Sequence, residues 1–324
     1  MTERTIAVAD VGGTHARFAL AQVERGQVVR LGEPLTLKTA DYASFQTATE
    51  AFTAHIGRDL PHEMSMAFAG HVGGEVLKLT NNPWVIRPAL MNPKLGIERH
   101  LIVNDFEAVA HAVASLHLAD FRHLCGPPVG VPEEGVITVL GPGTGLGVAQ
   151  LLKRRDGYQV VATEGGHIDF APLDSLEDKI LAHLRTNFRR VSVERLISGR
   201  GLVNIMEALA SIEGRTLPVR DERQLWTAAM DGTDSLATAA LDHFCLTLGS
   251  LAGDLALAQG SSAVVIGGGL GYRLADHLPK SGFRTRFIAK GRFESLMDKM
   301  PVKLITHPKP GLFGAAAAFA KAYP

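Results

Sequence analysis

An asparagine and an aspartate, Asn104 and Asp105, are the best-placed candidates for chemistry in this chain. They end the apolar run Leu101–Val103 and precede an Ala/Val-rich run, a pattern that predicts a buried parallel strand followed by a helix. In open α/β sheets, ligands bind beyond the carboxyl ends of the strands. A carboxylate there can act as a general base on a substrate hydroxyl. The alternative is that Asp105 only caps the helix, and this stretch taken alone favours that alternative.

Two glycine-rich turns, each with a threonine, are candidates for phosphate binding. An apolar strand leads into each turn and a second apolar strand leaves it. Glycine lets a ligand approach the backbone, and successive N–H groups in such a turn can cradle a phosphate. An ordinary hairpin turn is the alternative for each. The residues are Asp10, Val11, Gly12, Gly13, Thr14 and His15 in the first turn, and Gly141, Gly143, Thr144 and Gly145 in the second.

Asp10, at the end of the first strand, could hold Mg²⁺ through water, because Mg²⁺ often keeps several waters and takes only one or two carboxylates. The second turn has no Gly-Lys-Ser/Thr end of the Walker type. It also lacks the helix of a dinucleotide fingerprint, since Val148–Leu152 continues as a strand. The matching places of the two turns predict a duplicated fold that holds a nucleotide between its halves.

Two glutamates and one histidine are candidates for binding a sugar. Glu164 and His167 flank a glycine pair on one tight loop, which suits neighbouring sugar hydroxyls. A metal pair is the alternative, but no third ligand follows with suitable spacing. Glu194 is a candidate third contact, although alone it is typical of a solvated helix residue. Asn81 and Asn82 could bind a polyol, but turn-forming asparagine is the more frequent explanation.

A run of glycines, Gly267, Gly268 and Gly269, follows the apolar strand Ala263–Ile266. Three consecutive glycines leave room for a flat base or a ribose on the backbone, and a flexible loop is the alternative. The next helix is predicted to begin near Tyr272. Elsewhere the apolar spacing predicts helices and strands that would position these sites: helices over Tyr42–Ile56, Ser175–Phe188 and Gly311–Ala322, and strands over Met64–Ala69, Val136–Leu140 and Val302–Thr306.

The length of 324 residues suggests about two domains. The hydrophobic fraction of 46% is enough for a sizeable core. Lys+Arg and Asp+Glu both total 33, which argues against a nucleic-acid partner bound through bulk charge. The two cysteines, Cys125 and Cys245, match no metal spacing, so we expect buried free thiols in a reducing cytosol.

The N-terminal stretch lacks the apolar core of a signal peptide. The most apolar later stretch, Ser235–Gly260, contains Asp242 and Asp254, so its uncharged part is shorter than the ~20 residues of a membrane span. We interpret it as a buried helix. We therefore expect a soluble, cytoplasmic protein without a membrane partner.

Taken together, these motifs resemble the bacterial glucokinase family, within the actin/hexokinase/heat-shock-chaperone ATPase superfamily. They follow the family's order from residue 10 to about residue 318: DVGGTHARFAL, LIVNDFEA, GPGTGLGVA, EGGHIDFAP, ERLISGRGL, VIGGGL and PGLFGAA. The zinc motif of the related repressor/kinase group is missing, so the chain resembles the zinc-free branch. The resemblance implies an α/β, two-lobed actin-like (ribonuclease H-like) ATPase fold with a duplicated βββαβα core and an interlobe cleft. It further implies a small domain (1–115 with 308–324), a large domain (116–307) and a homodimer.

The resemblance also implies roles for the candidate residues. Asp105 would be the general base that takes the proton of the glucose 6-hydroxyl as that oxygen attacks the γ-phosphate of ATP, the entry step of glycolysis. Asn104, Asp105, Glu164, His167 and Glu194 would hold the sugar. The two turns would grip the phosphates, with Asp10 near Mg²⁺, and Gly267–Gly269 would face adenosine.

Other interpretations stay open at this point. The chain could be a kinase for another hexose, because sugar epimers differ in one hydroxyl, or a sugar-sensing regulator without catalysis. A chaperone-like ATPase would need a peptide-binding domain, for which no residues are left over. One departure from the family is His15, where asparagine is usual. If His15 contacts phosphate, activity should depend on pH near neutrality.

Overall fold

The computed structural model describes residues 3–79, 82–217 and 221–324. Asn81 therefore lies outside the described residues. The strands are β1 Arg4–Val11, β2 His15–Glu24, β3 Gln27–Leu31, β4 Leu35–Lys38, β5 Glu63–Phe68, β6 Leu77–Lys78, β7 Val85–Ile86, β8 Arg99–Asn104, β9 Phe121–Cys125, β10 Gly135–Pro142, β11 Leu146–Arg154, β12 Gly157–Thr163, β13 Ser261–Ile266 and β14 Val302–Ile305. The helices are α1 Phe45–Ile56, α2 Met91–Leu95, α3 Asp105–Ser115, α4 Ser175–Leu184, α5 Gly199–Ile212, α6 Glu222–Asp231, α7 Ser235–Gln259, α8 Gly268–Arg273, α9 Phe283–Ile288, α10 Glu294–Asp298 and α11 Pro310–Ala322.

These elements form two compact units. The first comprises residues 1–117, 160–162 and 307–324, and the second comprises residues 118–159 and 163–306. Each unit has a six-stranded sheet that combines an antiparallel hairpin with parallel strands: β1–β2 with β5 and β8 in the first, and β10–β11 with β13 and β14 in the second. This mixed α/β architecture agrees with the predicted fold class.

The sheet of the first unit has the order β3-β2-β1-β5-β8, with β4 also paired to β2. β1, β5 and β8 are parallel, and their register places Val11 beside Phe68 and Phe68 beside Asn104. Alternate residues of β1 face opposite sides, as a pleated strand requires. Ala7 and Ala9 pack in the cluster that contains the aromatic side chains of α1, whereas Ile6 and Val8 pack with α11; all four are fully buried.

Helix α11 makes an unusually close crossing with α3 in the first unit. A Cβ atom built on Gly314 would lie 1.7 Å from the carbonyl oxygen of Ala108, so only glycine allows this approach. Small side chains line the rest of the crossing, including Ala315 and Ala318. The hydroxyl of buried Ser65, on β5, donates to the carbonyl oxygen of Ala315 at 2.7 Å. The C-terminal helix therefore completes the packing of the strands and helix that carry the candidate site of this unit.

The sheet of the second unit has the order β12-β11-β10-β13-β14-β9, and residues 160–162 of β12 are grouped with the first unit. β10, β13 and β14 are parallel, and β11 runs antiparallel to β10 with Gly141 opposite Gly147. One core cluster joins this sheet to α5, α6 and α7. Cys125 and Cys245 are buried free thiols of this unit, as predicted, and burial raises the pKa of both thiols to about 12.

Among the described helices, α7 alone is long and apolar enough to cross a membrane, judged by length and composition. However, 67% of its most apolar window is buried inside the protein. Its inward side chains, such as Leu241, Phe244 and Leu248, are fully buried in the core of the second unit. We interpret α7 as a core helix.

Three predicted helix limits differ from the structure by three or four residues. α1 begins at Phe45 rather than Tyr42, because Ser44 accepts a hydrogen bond from the Thr47 N–H in a capping box. α4 ends at Leu184 rather than Phe188. α8 begins at Gly268 rather than near Tyr272, so the glycine run forms the first turn of this helix instead of a loop before it.

Candidate active site

The Asn104–Asp105 pair lies at the junction of β8 and α3, where the sequence predicts it. Asn104, not Asp105, is the N-cap: its Oδ1 accepts hydrogen bonds from the N–H groups of Phe106 (2.9 Å) and Glu107 (3.3 Å). The Glu107 carboxylate accepts in return from the Asn104 N–H at 3.2 Å, which completes a capping box. Burial raises the pKa of Glu107, and the hydrogen bond from the Asn104 backbone opposes that shift.

Asp105 is thereby placed at the first position of α3. Its Oδ1 accepts a hydrogen bond from the Phe106 N–H at 2.9 Å, and a carboxylate is favoured at a helix N-terminus by the helix dipole. The Asn104 side-chain amide donates to the carbonyl oxygen of Gly70 at 3.3 Å, which ties the end of β8 to the loop after β5. Asp105 is therefore held in place by its neighbours and does not itself carry the cap.

Asp10 lies at the same edge of the same sheet. Asn104 is level with Val11 across β5, so Asp10 is one residue before that level and Asp105 one residue after it. With strands about 4.8 Å apart and a rise of about 3.3 Å per residue, their Cα atoms are roughly 12 Å apart. Two carboxylates at this spacing can serve two parts of one extended ligand.

The surroundings of the Asp10 carboxylate are cationic. Arg17, its partner across the β1–β2 hairpin, donates to Oδ2 at 3.2 Å. The N-terminus of α11 also abuts it, because a Cβ on Gly311 would lie 3.1 Å from Oδ2. Burial raises the pKa of Asp10, whereas the charges of Arg17 and Lys309 lower it. The Asp10 side chain is 24% exposed, so solvent or a hydrated cation can still reach it.

The first glycine turn is held from behind by two side chains. The Thr39 hydroxyl donates to the carbonyl oxygen of Gly13 at 2.7 Å, and the Asn82 side-chain amide donates to the same oxygen at 2.9 Å. The Thr39 N–H donates to the carbonyl oxygen of Thr14 at 3.1 Å. His15 begins β2, pairs with Lys38 of β4 and is half-buried. The turn is therefore fixed by contacts that involve its carbonyl groups.

The second turn is held by Glu194. The Glu194 carboxylate accepts a hydrogen bond from the N–H of Leu146, which leaves the turn, at 2.9 Å. A Cβ on Gly145 would lie only 2.6 Å from the same carboxylate oxygen. The Gly143 carbonyl accepts from the Gly199 N–H at 2.8 Å. Glu194, which looks like a solvated helix residue in the sequence, is thus only partly exposed and directly joined to the turn.

The loop of Glu164 and His167 packs against the same part of the second unit. A Cβ on Gly166 would lie 2.2 Å from the carbonyl oxygen of Leu146, and the Ile168 carbonyl accepts from the Val193 N–H at 3.0 Å. The Glu164 and His167 side chains are 72% and 55% exposed and approach each other to 4.0 Å. Both can therefore contact a ligand while their backbone is fixed.

The glycine run after β13, Gly267–Gly269, packs against the second glycine turn. A Cβ on Gly141 would lie 2.3 Å from the carbonyl oxygen of Gly267. Gly268 has a φ of +77°, and a Cβ there would lie 2.5 Å from the carbonyl oxygen of Pro142. Gly269 has open space where a Cβ would be. This packing brings the candidate adenosine segment against the candidate phosphate turn.

The structure thus assembles the predicted residues in two groups, one in each unit. Asn104, Asp105 and the turn Asp10–His15 share one sheet edge of the first unit. Glu164, His167 and Glu194 surround the turn of the second unit. Among residues 3–79, 82–217 and 221–324, no group of three or more His, Cys, Asp or Glu side chains is arranged to hold a metal, but a hydrated Mg²⁺ needs only one or two carboxylates.

Sequence reasoning missed several residues that support these groups. Glu107 has a signal, since glutamate three residues after an asparagine cap is typical of a capping box. Gly311 also has a weak signal, as a glycine in the PGLFGAA motif. Thr39 and Arg17 carry none, because their partners Gly13 and Asp10 are reached only through strand pairing.

This chain is similar to known proteins over nearly its whole length. The family model that matches is Glucokinase, over residues 7–322. A glucokinase of Zymomonas mobilis subsp. mobilis is 62% identical over 318 residues, which covers 98% of each chain. A glucokinase structure from an Antarctic psychrotroph has a TM-score of 0.83 at 34% identity and covers 97% of this chain and 98% of its own.

A more distant structure shares the fold. The ROK family glucokinase of Streptomyces griseus, solved in complex with glucose and AMPPNP, has a TM-score of 0.62 at 22% identity and covers 97% of this chain and 99% of its own. The α/β architecture is thus the actin-like ATPase fold of two-domain sugar kinases, which confirms the predicted fold class. With a family match over nearly its whole length and a curated relative at 62% identity, the chain belongs to the glucokinase family.

Proposed function

We propose that this chain is an ATP-dependent glucokinase, which transfers the γ-phosphate of ATP to the 6-hydroxyl of D-glucose and releases glucose 6-phosphate and ADP. Family membership and the glucokinase relatives support this function. The structural observation that carries it is the position of Asp105, at the carboxyl end of β8 and the first position of α3. A carboxylate held there by its neighbours is suited to remove a proton from a bound hydroxyl.

The chemical step needs one proton acceptor. The 6-hydroxyl oxygen forms a bond to the γ-phosphorus, the bond from that phosphorus to the β–γ bridging oxygen breaks, and the hydroxyl proton passes to the Asp105 carboxylate. Phosphoryl transfer depends chiefly on positioning and charge neutralisation. The capping box at Asn104 and Glu107 supplies the positioning of Asp105, because it fixes the first turn of α3.

Four side chains besides Asp105 are assigned to the sugar. The Asn104 amide has two N–H donors, and one of them donates to Gly70, so the other can serve a sugar hydroxyl. One oxygen of Glu194 accepts from Leu146, and we assign the other to the sugar. Glu164 and His167 expose their polar ends and complete the set.

The phosphates of ATP are assigned to the two glycine turns, and adenosine to Gly267–Gly269. Asp10 would hold Mg²⁺ through water, since its side chain is partly exposed and lies at the same sheet edge as Asp105. Bound Mg²⁺ would neutralise phosphate charge during transfer. Arg17 and Lys309, which surround Asp10, are further positive charges on this side.

The finer assignments of domain, assembly and location also belong to this proposal. We assign residues 1–115 with 308–324 to a small domain and residues 116–307 to a large domain, close to the limits of the two compact units. We further propose a homodimer in the cytoplasm, as the family resemblance implies.

A coupled assay of ATP with a panel of hexoses, with and without Mg²⁺, tests the function. We expect Mg²⁺-dependent formation of glucose 6-phosphate. Asp105→Asn should bind glucose normally and lose about 10²–10⁴-fold in turnover, the usual contribution of a general base. Asp178→Asn, an exposed aspartate in the first turn of α4, is the matched control and should keep full activity. Near-normal turnover of Asp105→Asn would remove Asp105 from the role, and activity on another hexose alone would change the substrate.

A further inference from the structure

We propose that Thr39 and Asn82 are positioning residues for the phosphates of ATP. Both donate to the Gly13 carbonyl and hold the Gly13–Thr14 peptide in the orientation that presents the Thr14 N–H to a phosphate. The inference rests on the proposed function, in which the first glycine turn binds ATP. Neither residue is assigned a contact with substrate, so each would act only through the turn.

Two donors from separate parts of the first unit converge on one oxygen. Thr39 follows β4, is only 2% exposed and donates through its hydroxyl at 2.7 Å. Asn82 precedes β7 and donates through its amide at 2.9 Å. The Asn82 amide is itself oriented, because its Oδ1 accepts from the Trp84 N–H at 2.8 Å. The Trp84 indole in turn donates to the Tyr42 carbonyl at 2.9 Å.

The direction of the Gly13 carbonyl also fixes the direction of the Thr14 N–H, because both belong to one peptide group. In a trans peptide the C=O and the following N–H lie in one plane and point in opposite directions. The Gly13 carbonyl points at Thr39 and Asn82, so the Thr14 N–H points away from them. Glycine permits many backbone conformations, and this peptide plane would otherwise rotate easily. Two hydrogen bonds to one carbonyl oppose that rotation.

In the second glycine turn the carbonyl before the threonine also accepts a hydrogen bond, but from a backbone N–H. There the Gly143 carbonyl, before Thr144, accepts from the Gly199 N–H at 2.8 Å. The Gly199 carbonyl is held by the indole of Trp226 at 3.0 Å. In both turns the peptide between glycine and threonine is thus fixed through its carbonyl. In the first turn both donors to this carbonyl are side chains, so substitution can remove them without changing the backbone.

Steady-state kinetics of the full chain provide the first test. Thr39→Val removes one donor and keeps the shape of the side chain, and Asn82→Ala removes the other. Because a second donor remains after either change, each should raise KM for ATP about 3- to 10-fold, whereas the double variant should raise it more than the product of the two. KM for glucose should stay within about 2-fold, since the sugar residues are unchanged. Thr39→Ser keeps the hydroxyl and should restore the parent value.

A matched control separates positioning from stability. Thr49 is also a buried threonine of the first unit whose hydroxyl donates to a backbone carbonyl, that of Phe45, at 2.8 Å. Thr49→Val should lower Tm and leave KM for ATP unchanged. The inference is overturned if the double variant keeps the parent KM for ATP. It is also overturned if KM for ATP and KM for glucose rise together as Tm falls.

A direct readout is the amide resonance of Thr14 during titration with ADP. In the parent we expect a large downfield proton shift, because the N–H gains a charged acceptor. In the double variant that shift should be lost or much reduced, and an unchanged shift would overturn the inference. This titration tests the positioning role of Thr39 and Asn82 without any need for turnover. If the parent phosphorylated no sugar, that result would refute the proposed function and leave the positioning role to be judged by the titration.

Discussion

Replacement of Gly314 by alanine tests the role of the α3–α11 crossing in placing Asp105. The new Cβ would lie 1.7 Å from the Ala108 carbonyl oxygen, whereas ordinary contacts of a Cβ begin at 3.4 Å. The obstacle is backbone, which no side-chain rotation can remove. The two helices must therefore separate by about 1.3–1.7 Å to bring this contact to 3.0–3.4 Å, and α3 carries Asp105 at its N-terminus.

The magnitude follows from three contributions. Overpacking of a core typically costs about 1–3 kcal/mol. Separation of the helices also loosens the small-residue cluster of Ala67, Val103, Ala108, Ala315 and Ala318, because even a gap of about 0.5–1 Å forfeits a quarter to a half of each dispersion contact. Alanine returns about 1 kcal/mol through its better helix propensity. Because the loosened contacts offset the gain in helix propensity, we expect a net loss of about 1–3 kcal/mol in the free energy of unfolding of the first unit.

Tryptophan fluorescence in a urea titration measures this loss unit by unit. The chain has two tryptophans, Trp84 in the first unit and Trp226 in the second, so Trp226→Phe leaves a single reporter on the first unit. In that background Gly314→Ala should lower the midpoint. In the parent chain, where both tryptophans are present, Gly314→Ala should also lower kcat by up to about 100-fold, because a displacement of about 1 Å can have this effect.

The control is Gly74→Ala, since a Cβ on Gly74 would meet nothing closer than 3.9 Å. It should change the free energy of unfolding by less than about 0.5 kcal/mol. An unchanged midpoint for Gly314→Ala would refute the reasoning. In the reciprocal Trp84→Phe background, which reports on the second unit, an equal shift of the Trp226 transition would refute the assignment of the effect to the first unit.

Three further predictions follow from the electrostatics. Burial lowers the pKa of His111 to about 4. The stability that comes from keeping this imidazole neutral is therefore fully present above the unfolded-state pKa of about 6.5, and it is lost as pH falls toward 4. His111→Gln should flatten this acid-side loss in unfolding titrations, whereas the exposed His55→Gln should not, and equal slopes for parent and His111→Gln would contradict the cause. Burial raises the pKa of Asp10, so ionisation of this carboxyl lowers the free energy of unfolding as pH rises through its folded-state pKa. Asp10→Asn should therefore be at least as stable as the parent at pH 7, and it should lose Mg²⁺-dependent turnover. A variant less stable than the parent would contradict this reasoning. Glu194→Gln keeps an acceptor for the Leu146 N–H and removes the charge, so it should raise KM for glucose about 10- to 100-fold with little change in Tm, and a fall in Tm with unchanged KM would show a structural role only.

The sequence predicted the parts of the site that depend on local pattern. An apolar run that ends in Asn104 and Asp105 indicates a buried strand and the edge at which it ends, because strand and helix periods are visible in one short window. The two glycine turns were predictable for the same reason, since each stands between two apolar runs. Their assignment to one family came from the order of the motifs, and the comparisons confirm it.

The residues that hold the turns could not be predicted in this way. Thr39 and Asn82 are 26 and 69 positions from Gly13, and neither differs in type from an ordinary turn residue. Asp105 showed the converse problem: sequence alone favoured it as the helix cap, whereas Asn104 takes that role. A cap is decided by backbone angles at one residue, which the order of residue types does not specify.

The discontinuous first unit has a consequence for protein synthesis. Its strands and α3 end by His117, but α11, which covers Ile6 and Val8 and bonds to Ser65, belongs to residues 307–324. About 190 residues must be translated in between, which takes roughly 10–40 s at about 5–20 residues per second. During that interval the nascent chain exposes the apolar sheet face that α11 covers in the folded protein. Ribosome-bound chains of this protein should therefore be good clients for chaperones that bind apolar surface, and the second unit should reach its folded state first.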